Sequence, residues 1–197
     1  MKNKKWNVES YNDAPMHVVL FISRRKDNKD IEDHTERRKS FVTKLPKDHP
    51  ELIQRFTEFV NRGVTGEMCR MYYSVNERDS EKVYKDLLIF LISEPEFNLC
   101  AISSKLAGIA AKNTNAKTKR WMFDFDMDDK DKAEAFCNDI ASYYELGDIE
   151  LHKTPNGYAI ITSGGFDTRE LFDKWTYDYI TLKRDDLLCC RWRSEEH

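Results

Sequence analysis

Two hydrophobic periods run through the chain, and the change from one to the other marks out its elements. Residues 17–23 (HVVLFIS) form a short apolar run of β-branched and aromatic side chains, which predicts a buried strand. Residues 24–40 (RRKDNKDIEDHTERRKS) mix both charge signs without a period and predict an exposed loop. Over 50–61, apolar residues at 52, 53, 56, 59 and 60 follow helical spacing, with Pro50 at the start and Gly63 just past the end. Residues 70–76 predict a strand. Residues 80–92 predict an amphipathic helix that buries Val83, Leu87, Leu88 and Leu91, and 102–111 a second helix. The polar, basic stretch 112–120 (KNTNAKTKR) is the expected internal boundary.

Beyond that boundary the order is clearer. Strand 120–126 precedes helix 129–145, whose buried stripe is Ala133, Phe136, Ile140 and Tyr143/Tyr144, with Asp128 as the expected N-cap. Strands 148–152 and 158–162 flank the turn Thr154-Pro155-Asn156-Gly157. A helix over 168–175 follows, then strands 179–183 and 187–193 around an Arg184-Asp185-Asp186 turn. The order β-α-β-β-α-β with one extra strand is that of a ferredoxin-like split sheet. The expected fold is therefore α+β: an N-terminal α/β layer (1–116) packed with a C-terminal ferredoxin-like sheet (117–197) in one domain.

Composition narrows the classes. With 197 residues and 40% apolar side chains, the chain can bury a core without staples. The net charge of −3 gives no global field for nucleic acid, so any such binding must come from a local basic patch. Five cysteines without CxxC spacing predict reduced thiols rather than disulfides or a zinc site. The polar start predicts no signal peptide and no apolar run approaches the ~20 residues of a membrane span, so a cytoplasmic, membrane-free protein is expected.

The candidate chemistry lies in WMFDFDMDD. Alternation puts Trp121, Phe123 and Phe125 on one face of a strand and Met122, Asp124 and Asp126 on the other. The aromatic face has a partner in the next helix, so the two aspartates must project together from the uncovered face. Like charges at i and i+2 repel, and a hard cation such as Mg²⁺ or Mn²⁺ would relieve that repulsion. The plain alternative is that the aspartates only end an exposed strand.

The run Trp121-Met-Phe-Asp-Phe-Asp126 resembles the first motif of the archaeo-eukaryotic primase superfamily, the primase-polymerase type of catalytic core. The resemblance implies metal-dependent nucleotidyl transfer acting on nucleoside triphosphates and nucleic acid, with Asp124 and Asp126 as metal ligands. It also implies a second motif, small-x-His, on a hairpin strand. Thr154-Pro-Asn-Gly-Tyr-Ala159 resembles that hairpin, but Ala159 stands where the phosphate-contacting histidine is expected. For the third carboxylate of the family, Asp185 and Asp186 are the candidates, and Asp186 is taken as the catalytic one.

Arg70, Arg78, Lys117, Lys119 and Arg120 are the basic groups expected near this site, with Arg70, Arg78 and Lys119 assigned to the nucleotide. His152, Tyr72, Tyr73 and the Cys189-Cys190 pair read as structural first, with base stacking a possible use of the tyrosines. Two other functions compete: a non-catalytic nucleic-acid or partner-binding module on the same fold, and a phosphohydrolase using the DxD. Only 71 residues follow Asp126, too few for the parallel sheet such hydrolases need.

Overall fold

The computed structural model describes residues 14–143, 148–176 and 178–193. It is a mixed α+β architecture of two four-stranded antiparallel sheets and, among the described residues, five helices.

The first sheet has the order β2-β1-β3-β8, from β1 (His17–Ser23), β2 (Arg37–Thr43), β3 (Cys69–Ser74) and β8 (Leu187–Arg193). Helix α1 (Pro50–Asn61) covers one of its faces. Leu52, Phe56, Phe59 and Val60 of α1 pack against Val19, Phe21, Phe41, Met71 and Tyr73. Phe21 is the hub, with its ring centroid 5.2–5.7 Å from those of Phe41, Phe56 and Phe59. On the opposite face, α2 (Ser80–Ser93) and α3 (Ile102–Ala110) bury Val83, Ala107, Ile109 and Ala110 against Met16 and Val18.

Strand β2 corrects the expectation that 24–40 is all loop. It is an edge strand, and its Arg37-Arg38-Lys39 run is the charge that edges carry against unwanted pairing, which disguised the strand. Helix α2 corrects the expected stripe. Val83 alone is buried, while Leu88 is 61% exposed, because α2 packs on α3 and its buried contact is limited to the cluster of Met16, Val18 and the α3 side chains.

A buried polar knot ties the start of β2 to the loop before β3. The Glu67 carboxylate meets Arg37 (Nε to Oε1 3.0 Å, with Nη2 on Oε2) and His34 (Nε2 to Oε1 3.1 Å), and accepts from the Val64 N–H at 3.2 Å. The knot uses the space left by Gly63, since a Cβ there would collide with that carboxylate in its present position. Burial opposes ionisation of Glu67, but hydrogen bonds from Arg37, Ser23 and His34 outweigh it and hold its carboxyl down to about 2. A depressed carboxyl stabilises the fold above its ordinary value of 4.5 and loses that contribution as pH falls toward 2. Glu67→Gln should therefore cost about 3 kcal/mol at neutral pH, as breaking a buried pair does. Thermal melts across pH should show the deficit shrinking from about pH 4.5 downward; a deficit independent of pH would contradict this.

The second sheet has the order β5-β6-β4-β7, from β4 (Trp121–Phe125), β5 (Ile149–Thr154), β6 (Gly157–Thr162) and β7 (Ile180–Lys183). Helices α4 (Lys130–Tyr143) and α5 (Arg169–Lys174) join β4 to β5 and β6 to β7. Ala133, Phe136 and Ile140 of α4 and Leu171 of α5 bury Phe123, Phe125, Tyr158 and Ile160 on one face, as the alternation predicts. The expected stripe residues Tyr143 and Tyr144 lie outside the described side chains. The helix cap is Asp129, not Asp128: its Oδ1 accepts from the Lys132 N–H at 3.0 Å, while Asp128 pairs with Lys153.

Strand β8 departs from the expected hairpin around 184–186. β7 and β8 do not form a hairpin, because β8 leaves the second sheet and pairs with β3 of the first. The Arg184-Asp185-Asp186 turn is thus a crossover between sheets. Among the described residues no helix is long and apolar enough to cross a membrane, and all five cysteines are free thiols.

Candidate functional site

The uncovered face of the second sheet meets edge strand β8. The seam is apolar, with Val75 and Leu188 packed on Met122, Ala159 and Ile161. It is stitched at one end by polar groups. Asn76 Nδ2 donates to the Arg120 carbonyl at 3.0 Å and to Asp185 at 3.1 Å, and the Val75 N–H donates to the Asp186 carbonyl at 3.1 Å. Arg78 grips Asp185 with two bonds of 2.8 Å.

At the other end the sheets diverge around a cleft of about 470 Å³. Asp124 and Asp126 both line it, Asp124 from within β4 and Asp126 one residue past its end. The Asp126 N–H donates to the Tyr179 carbonyl at 2.8 Å, which fixes this exit. The register sets Asp124 opposite Ala159 on β6 and Thr181 on β7. Ala159 therefore shares the carboxylate face, and it lines the cleft while its methyl packs into the seam. The turn that follows β5 is held close to β4, for a Cβ at Gly157 would strike the Phe125 carbonyl and the Met127 backbone. Asp186, at the crossover, also lines the cleft; its Oδ1 accepts from the Leu187 N–H at 2.8 Å, and Lys183 lies 3.4 Å from it.

Asp124 is held above the usual aspartate range by burial first, then by repulsion from Asp126, with Asp186 adding to it; Lys183 and Lys26 pull the other way.

The opposite wall is basic. Arg24 and Lys26 follow β1, and Arg70 and Tyr72 come from β3. Asp27 organises the arginines: its Oδ2 accepts from Arg24 Nε at 2.7 Å, and its Oδ1 from Arg70 Nη2 at 2.8 Å. The Arg70 side chain is only 8% exposed, and its Nε is buried without a hydrogen-bond partner. The cleft thus sets four cationic side chains, Arg24, Lys26, Arg70 and Lys183, against three carboxylates.

Of the residues singled out in the sequence, Asp124, Asp126, Asp186, Arg70 and Ala159 come together here. Arg78 does not: it is 3% exposed and locked on Asp185, so it is a structural clamp. Lys119 is exposed and outside the cleft lining, and Lys117 lies 3.8 Å from Glu77. Arg120 pairs with Glu150 on the far side of β8. His152 lies in register beside Ala159 but contacts Glu150 at 2.9 Å. Tyr73 is buried with its hydroxyl on the Leu45 carbonyl. Cys189 lines the cleft, with its thiol pushed up to about 11 by burial, so it is a poor nucleophile. Arg24, Lys26 and Lys183 were not picked out in the sequence. Their one signal was charge within stretches that read as loop or strand end.

Among the described residues, no three or more His, Cys, Asp or Glu side chains form a ready-made metal cage. The donor set nevertheless fits a hard cation of the Mg²⁺ kind, which is commonly held by one or two carboxylates together with substrate phosphates. The crowding that holds Asp124 above its usual range is the charge imbalance a cation would relieve. No family model, curated protein or solved structure matches the chain.

Proposed function

We propose that the chain is a metal-dependent nucleotidyltransferase of the primase-polymerase type, taking nucleoside triphosphates and nucleic acid in the inter-sheet cleft. The observation that carries the reading is the joining, in one cleft, of mutually repelling carboxylates with the basic groups Arg24, Lys26 and Arg70. A polyphosphate bound with Mg²⁺ or Mn²⁺ would answer both. Strand order also supports it: read from the other edge, β7-β4-β6-β5, antiparallel throughout and linked by α4 and α5, is the order of a ferredoxin-like sheet.

In this reading Asp124 and Asp126 hold the cation, and Asp186 stays on the cleft wall with Lys183. Arg70 and Arg24, aimed by Asp27, take phosphate oxygens through charge-assisted hydrogen bonds, and Lys26 and Lys183 offset the remaining charge. The bound cation would supply activation of an attacking hydroxyl and stabilisation of the departing pyrophosphate. Tyr72 offers the cleft an aromatic surface for a base.

A second reading, a nucleotide-binding module without turnover, is favoured by one observation: Ala159 offers no donor at the position facing Asp124. One comparison separates the two. Wild type and Ala159→His are assayed for Mn²⁺-dependent primer extension and for triphosphate binding. The imidazole must displace neighbours in the seam, where Ala159 is buried against Met122, Ile161 and Leu188. Binding tighter by about tenfold, the effect of one charge-assisted bond, is therefore expected of a variant whose melt shows that it still folds. Nucleotide incorporation by either protein supports the enzyme. Tighter binding without incorporation favours the module, and no metal-dependent triphosphate binding by either removes both.

A further inference from the structure

Alternate side chains of β8 point to opposite sides. Leu187 and Cys189 line the carboxylate cleft, whereas Leu188 lines a second hollow of about 590 Å³. That volume lies within the ~300–1,000 Å³ of small-molecule pockets. Its floor is apolar, from Val75, Ile161 and Leu188. One wall is aromatic: His17 and Tyr73 stack with ring centroids 4.5 Å apart and planes at 28°. The stack is rigid, because His17 Nδ1 lies 3.1 Å from the Ser74 carbonyl and the Tyr73 hydroxyl donates to Leu45 O at 2.9 Å. Burial lowers the His17 pKa, so the ring is a neutral aromatic surface at physiological pH. The rim is basic, with Lys44 and Lys47 on the β2–α1 loop, and Arg120 opposite them beside its partner Glu150.

An inorganic anion has no use for the apolar floor, and a purely apolar ligand none for the lysines. We propose that this hollow is a second, metal-independent site for a nucleotide unit, with its base on the floor and the His17–Tyr73 wall and its phosphate at Lys47 on the rim. The proposal goes beyond the metal cleft and stands whether or not that cleft turns substrate over. The nucleotide unit can come from a free mononucleotide or from a single strand, and the test distinguishes them.

Binding of a short fluorescein-labelled oligothymidylate is followed by anisotropy and binding of AMP by calorimetry, both in EDTA at low salt. EDTA strips the cation from the cleft, so failure of the metal reading leaves this result untouched. Oligothymidylate binding without AMP binding identifies a single-strand site, and AMP binding a mononucleotide site; either supports the proposal when Lys47→Glu weakens it at least about tenfold. Loss of one phosphate contact should also flatten the salt dependence of strand binding by about 0.7 in log–log slope. His17→Leu should weaken binding by about 5- to 150-fold, the range of base–aromatic stacking. Lys47 is partly exposed, so its variant decides the matter even if His17→Leu does not fold. Binding of neither probe, or wild-type affinity in a folded Lys47→Glu protein, overturns the proposal.

Discussion

Asp124→Asn should raise the melting temperature of the metal-free protein at pH 7 and abolish its stabilisation by Mn²⁺. Asp124 ionises against burial and against Asp126 and Asp186, so its carboxyl is held above the ordinary 3.8. A raised carboxyl has the opposite linkage sign to Glu67. Ionising it costs more in the folded than in the unfolded state, so stability is lost as pH rises through the interval above 3.8. Asparagine keeps the shape and removes the charge. Its advantage should be complete at pH 7 and vanish below the ordinary aspartate range. Metal reverses the order. At a hundredfold excess over Kd, a ligand that binds only the native state adds about 2.7 kcal/mol. For a domain of this size that is roughly 5–10 °C in the wild type and nothing in the variant. Melts with EDTA and with Mn²⁺ read both effects. A variant less stable than wild type in EDTA at pH 7, or one that keeps the Mn²⁺ shift, would contradict the assignment.

Arg78→Leu should be the most damaging single change to stability. Its side chain is 2% exposed and that of Asp185 is 7%, and their two bonds clamp the crossover against the end of β3. Removing the arginine leaves a buried carboxylate whose remaining side-chain donor, among the described residues, is Asn76. Breaking a buried pair from one side costs about 3–5 kcal/mol, on the order of 10 °C here. Replacing both partners, Arg78→Leu with Asp185→Leu, should recover much of the loss, because the charge left stranded is the main penalty. Denaturant titration of the single and double variants tests this. A single variant within 1 kcal/mol of wild type would show that the clamp does not hold the sheets together.

The contrast between Arg70 and Arg78 explains what the sequence could and could not reveal. They flank one strand and look equivalent in the chain. Arg70 shares a strand face with Tyr72 and so reaches the cleft, while Arg78 lies beyond the strand at the junction of the sheets. Only three-dimensional pairing separates them. The carboxylate strand was legible because three aromatic side chains at alternate positions demand a cover, which leaves Asp124 and Asp126 no other face. The basic wall was not legible. Arg24 and Lys26 belong to a stretch with no period, and the Asp27–Arg70 bond spans 43 positions. The path of β8 was hidden too, since a strand after a short turn reads as a hairpin partner. Here Asp185 ties that turn to Asn76 and Arg78 and directs the chain to the other sheet.

The central claim is that the carboxylates and the basic wall form one site for a metal-bound nucleoside triphosphate. Its most direct test is titration calorimetry of a nucleoside triphosphate into the wild-type protein in Mn²⁺, beside a titration of the triphosphate without Mn²⁺ into the protein in EDTA. Saturable heat that requires the metal and is lost when Arg70 is replaced by alanine is the expected result. Absence of heat at millimolar Mn²⁺ and triphosphate, or equal heat in EDTA, would contradict it.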